Sequence, residues 1–218
     1  MKQHTITLGE LAFSCYIFDK IDSGAYGKFL EQTNHSPELG NREHCLVLLK
    51  WLNDWGIRSI AKEDYERLSE NIKSWHDSNE LFDKDQNLQD LSEEDLASVE
   101  AAYSTLVRIR SLGPTSAAKI LFATRPKAFV AWDGTIREAY VGPKGSYVEF
   151  LKKVKSLIST IKCECKNYGI ELEELPEKLG KRHSTIPKLI DEYNWITITQ
   201  GCPPPDRQTL QRWAEWSN

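Results

Sequence analysis

The sequence predicts an all-α fold, on three observations. Apolar residues recur at i, i+3 and i+4, the spacing of one helix face, through most of the longer stretches. Asn41, Ser92, Asp133 and Ser146 stand just ahead of such stretches, where a short polar side chain can cap the first free amides. Strand-forming residues gather only in W-I-T-I-T at 195–199, which is too short and isolated to found a sheet and is expected to pack as an extended segment.

Taken in order, Leu8 to Phe18 carries apolar residues at helical spacing, and Gly24 to Leu30 can add a short second helix. Asn34 to Gly40, N-H-S-P-E-L-G, reads as a loop. Asn41 then caps a largely buried helix bearing Cys45, Leu46, Leu48, Leu49 and Leu52, which stops at Gly56. Trp51 and Trp55, one turn apart near its end, fit a core better than a stacking platform. Ala61 to Trp75 is the next expected helix, followed by a polar, acidic surface loop from Asp77 to Asp90.

Ser92 opens S-E-E-D, which resembles a capping box, and the helix behind it runs through Tyr103, Leu106 and Ile109. Gly113-Pro114 is a natural stop and restart, because glycine accepts unusual backbone angles and proline fits a first helical turn. Asp133 starts a short helix that ends near Val141, and Gly142-Pro143-Lys144-Gly145 is a turn. Ser146 caps a long helix carrying Phe150, Leu151, Val154, Leu157, Ile158 and Ile161. Two more helices are expected at Ile186 to Tyr193 and Arg207 to Trp216, separated by the stiff Pro203-Pro204-Pro205.

A chain of 218 residues can hold one large domain or two small lobes. Charge interrupts every apolar run well before the ~20 residues of a membrane span, and M-K-Q-H-T-I-T is no signal peptide, so an intracellular, cytoplasmic protein without membrane partners is expected. Five cysteines at irregular spacing argue against a disulfide framework, and Cys163-Glu164-Cys165 is too close for zinc ligation. Serine-hydrolase elbows, phosphate loops, dinucleotide fingerprints and metal-ligand clusters do not occur. The formal charge is −4, but its distribution is uneven. Residues 62–100 hold 4 basic and 13 acidic side chains, whereas 108–162 hold 11 basic and 3 acidic ones. The second block can face phosphate or simply form a solvated surface.

That basic block contains I-R-S-L-G-P-T-S-A-A-K-I-L from Ile109 and W-D-G-T-I-R from Trp132. The stretch resembles the helix-hairpin-helix core of base-excision DNA glycosylases, nearest in motif to the adenine and 8-oxoguanine branches. Ile109, Leu112, Gly113, Pro114, Ser116 and Ala117 match the family's apolar, glycine, proline and small positions, and Asp133 follows the family's lysine position by eighteen residues. The match spans about thirty residues of 218. Ser111 replaces the first hairpin glycine, Arg110 a proline, and Thr115 the lysine nucleophile of bifunctional members. The four-cysteine iron–sulfur run of some members is absent.

The resemblance implies a two-lobed all-α fold without an iron–sulfur cluster. Residues 26–133, with the hairpin at 109–123, would form one lobe, and 1–25 with 134–218 the other. It implies a monofunctional DNA glycosylase that releases a modified or mispaired base from duplex DNA by water attack. The alternative is a catalytically silent helix-hairpin-helix module that binds DNA or protein. Asp133 would stabilise the positive charge that builds on the sugar; at ~4 Å and an effective dielectric of ~20 that attraction is about 4 kcal/mol, roughly three decades of rate. Its plain reading is an N-cap or Asp-Gly turn, and the two are compatible. Trp132 would line a base pocket or pack in the core. Gly113, Thr115 and Ser116 would hold a phosphate at the helix start, with Lys119, Arg125, Lys127 and Arg137 adding charge and Asn53 filling the gap left by an extruded base. No cofactor is implied except a monovalent cation held by carbonyls in related hairpins, an option that Ser111 weakens.

Overall fold

The computed structural model describes residues 6–57, 60–79, 81–206, 208–210 and 212, and every regular element among them is helical. In chain order these are α1 (Leu8–Ile21), α2 (Ala25–Gln32), α3 (Arg42–Asp54), α4 (Tyr65–Ser78), α5 (Glu93–Val107), α6 (Pro114–Thr124), α7 (Gly134–Val141), α8 (Tyr147–Asn167), α9 (Leu175–Lys178) and α10 (Ile186–Asn194). Single 3-10 turns at Lys62–Asp64, Leu88–Asp90 and Leu172–Glu174 lead into α4, α5 and α9.

The helices begin where their caps dictate. Asn41 Oδ1 accepts from the amides of Glu43 and His44, Ser92 forms a reciprocal box with Asp95, and Ser146 forms one with Glu149. Thr7 and Glu10 form a third box at α1, and Thr185 accepts from the Lys188 amide at α10. Each such cap is worth about 1 kcal/mol, since it satisfies an amide that the helix leaves without a carbonyl. Inward faces follow the apolar spacing: α3 buries Cys45, Leu48, Leu49, Trp51 and Leu52, and α8 buries eight residues from Tyr147 to Cys165.

α1 packs along α10, α3 lies against α4 and α2, and α5 lies against α6 and α8. The buried residues form one connected cluster that runs from Ile6 to Tyr193. Two aromatic groups stiffen it. Tyr26, Phe29, Trp51, Trp55 and Phe122 meet between α2, α3 and α6, while Tyr103, Trp132, Tyr147 and Phe150 meet between α5 and α8. No described helix is long and apolar enough to cross a membrane.

Residues 195–199 depart from expectation. Instead of an extended segment they form a π-helical turn that continues α10, with Gln200 N donating to Trp195 O at 2.8 Å. Strand propensity is realised only against a partner strand, and none is offered to this segment among the described residues. Helical backbone carries through Asn194, and Thr197 Oγ1 donates back to Tyr193 O at 2.8 Å. Of the helix expected from Arg207 to Trp216, Gln208–Leu210 and Arg212 are helical and the rest lies outside the described residues.

The two charged blocks face each other. Lys127 pairs with Asp85 and Lys152 with Glu93, while Lys155 Nζ donates to the Leu91 carbonyl at 2.7 Å. Part of the basic block is therefore engaged by the acidic stretch rather than presented to solvent.

Candidate functional site: a hairpin start and a carboxylate cleft

The hairpin is built from local geometry. α5 ends at Val107, Ile109 N donates to Leu106 O and Leu112 N to Ile109 O, so the chain coils tightly before reversing. The reversal is made at Ser111, whose φ of 75° lies in the left-handed region that favours glycine. Gly113 itself is extended, at φ −117° and ψ −177°, and serves as the N-cap of α6 without a side-chain hydrogen bond to the helix. Pro114 occupies the first turn, where its missing N–H costs nothing. The amides of Thr115 and Ser116 thus start a helix whose dipole is open to an acceptor. Ser116 is buried, at only 2% exposure, and Thr115 beside it is half-buried. Tyr103 Oη and Trp132 Nε1 both donate to the Pro114 carbonyl at 3.3 Å and fix the hairpin to the core.

Asp133 is the N-cap of α7. Its Oδ1 accepts from the Ile136 amide at 2.8 Å and its Oδ2 from Thr199 Oγ1 at 2.6 Å, so the π turn reaches back to hold the carboxylate. Pro114, Thr115, Trp132, Asp133, Gly134 and Arg137 line one cleft of about 130 Å³. Arg137 Nε is buried there with no hydrogen-bond partner among the described residues. The fold thus brings Thr115 and Asp133 to one cleft, with Trp132 behind them as a buried wall at 2% exposure. Small-molecule pockets usually enclose about 300–1,000 Å³.

The other expected site residues lie elsewhere and are engaged within the protein. Asn53 Nδ2 donates to Ile60 O at 2.9 Å and to Tyr65 Oη at 2.7 Å, tying α3 to the entry of α4. Arg125 donates to Phe82 O and Thr124 O, and Lys127 is paired with Asp85. Lys119 turns inward. Its Nζ donates to the Trp55 carbonyl at 2.6 Å and sits 4.5 Å above the Trp55 ring. Burial pushes its pKa down to about 8, with Lys188 adding to the effect against the opposing pull of Asp191 and Asp133.

An ion cluster that sequence reading missed lies beneath this region. Lys188 Nζ donates to Asp191 Oδ2 at 2.9 Å, lies 3.4 Å from Glu192 Oε1, and sits 4.3 Å over Phe18 and 5.4 Å over Trp55. Lys181 bridges Glu192 to Asp19 of α1. Burial alone would lower the Lys188 pKa, yet Asp191 and Glu192 outweigh it and raise the pKa above its ordinary value. The available signal was K-L-I-D-E, which puts two carboxylates three and four residues after a lysine on a helix. Thr199 left no comparable trace, because its role depends on the π turn. Among the described residues no three His, Cys, Asp or Glu side chains gather as metal ligands would.

No family model, curated protein or solved structure matches this chain.

Proposed function

We propose that this is a helix-hairpin-helix DNA-binding protein that grips a duplex phosphate at the start of α6. The observation that carries this reading is the α6 N-terminus, which lacks a side-chain cap, follows a left-handed turn at Ser111, and is bordered by Arg137 across the cleft. Arg108 and Arg110, both exposed, flank the turn in the chain. These cations, rather than the whole basic block, form the electrostatic footprint. Contact of these three arginines with about three phosphates gives a slope of about −3 in log K against log salt concentration. A fluorescence-anisotropy titration of duplex DNA across salt concentrations tests this, with Arg110→Glu expected to weaken binding and flatten the slope. A salt-independent affinity, or one indifferent to Arg110→Glu, refutes it.

Base excision is the second reading, favoured by the meeting of Thr115 and Asp133 in one cleft with Thr199 orienting the carboxylate. Thr115 cannot form an imine, so an active protein would release a base and leave an intact abasic strand. The cleft's volume and the two hydrogen bonds already made by Asp133 weigh towards binding without excision. Single-turnover assays on duplexes bearing oxidised, deaminated and alkylated bases separate the two. Base release by the wild type that falls by orders of magnitude in Asp133→Asn establishes excision, whereas binding without release from any of them leaves the DNA-binding module.

A further inference from the structure

We propose that a second cavity, between α2, the α6–α7 connection and the start of α10, binds a small phosphate monoester. The cavity is about 330 Å³, more than twice the volume of the cleft at Asp133 and inside the range of small-molecule sites. Tyr26, Leu30 and Pro126 give it an apolar wall. His35, His183, Ser184, Thr185 and Lys188 supply its polar lining, which contains no carboxylate.

Each polar group has a definite status. Thr185 is committed, since its hydroxyl donates to Pro126 O at 2.6 Å and accepts from the Lys188 amide. Lys188 is paired with Asp191 and Glu192 behind the cavity, so it contributes an anchored wall more than a free charge. Ser184 differs, because its Oγ is buried without a hydrogen-bond partner among the described residues. A buried hydroxyl left unsatisfied is destabilising, and an acceptor entering the cavity would relieve it. His35 and His183 are exposed at the mouth, where two rings can each donate one N–H to the same oxyanion. The N-terminus of the nine-residue α10 lies in the same wall and adds a positive dipole. Donors without lining carboxylates select a phosphate, and the wall beside them leaves room for a flat organic group. The proposal is independent of the hairpin reading and stands or falls separately.

The test follows the histidine ring protons of His35 and His183 by NMR, assigned with single His→Gln variants, during titration with adenosine 5′-monophosphate, inorganic phosphate and adenosine. Both phosphate probes should shift the two rings saturably, with adenosine far weaker. Ser184→Ala removes an unsatisfied hydroxyl, so its melting temperature should hold or rise while affinity for the monophosphate falls roughly tenfold or more. His183→Glu, at an exposed position, should abolish the response. A phosphate monoester can come from a free nucleotide or from a 5′-phosphorylated DNA end. A duplex with and without that phosphate, read at the same two rings, distinguishes the sources. Absence of a saturable shift with either phosphate probe, equal affinity for adenosine, or unchanged affinity in either variant overturns the proposal.

Discussion

Asp133 shows how one side chain can serve a helix and a cleft together. Its two oxygens are divided between the Ile136 amide and the Thr199 hydroxyl. Asp133→Ala should therefore cost about 1–2 kcal/mol in a urea melt, whereas Asp133→Asn, which retains a capping oxygen, should lose much less. Lys119 makes a second residue-level prediction through its depressed pKa. Below about pH 8 it is charged in both the folded and unfolded states, and burial opposes the folded one. Between about 8 and the ordinary 10.5 the folded protein has released the proton while the unfolded chain keeps it, so stability rises with pH across that window. Urea melts at pH 7.5 and 10 should show wild type gaining relative to Lys119→Met; a gap independent of pH contradicts the assignment. Ser111 holds a left-handed backbone at a cost of about 1–2 kcal/mol, partly offset by the lower entropy of its unfolded chain. Ser111→Gly should raise stability by about 0.5–1 kcal/mol, measured the same way.

Helix starts were legible wherever a cap and an apolar period coincided, because both are local. Asn41, Ser92, Asp133 and Ser146 all cap as their sequence context implies. The short α9 was not legible, since four residues carry too little periodicity to read, and the π turn was misread because its β-branched alternation resembles a strand. At the cleft, Asp133 and Thr115 were visible from motif spacing, while Thr199 and the inward turn of Lys119 depend on packing between distant segments. The α7–α8 connection gives a prediction at this scale. Gly142 has φ 77°, and a Cβ at Gly145 would lie 2.4 Å from the Val141 carbonyl oxygen, so the turn leaves no room for a side chain. Gly145→Ala should lower the melting temperature by displacing α8 from its Ser146 cap, and an unchanged melt would contradict this tight turn.

Across the whole molecule, charge is arranged to hold segments together. The acidic stretch leading into α5 and through its first residues meets the basic stretch after it through exposed pairs that are worth little individually. The buried group at α10 behaves differently. Lys188→Met would strand Asp191 in the interior and should destabilise by about 3–5 kcal/mol. Chemical denaturation checks this, and a loss below 1 kcal/mol would mean that the cluster is more hydrated than its geometry implies.

The packing of α1 on α10 also sets an order of assembly during synthesis. Leu11, Cys15 and Phe18 are synthesised some 165 residues ahead of the helix that covers them. Until α10 emerges, α1 carries an uncovered apolar stripe, and Asp19 lacks the Lys181 that links it to Glu192. α3 with α4, and α5 with α6, can pair as they appear, since their partners are neighbours in the chain. Throughout that interval α1 waits uncovered, exposed to chaperones, for α10.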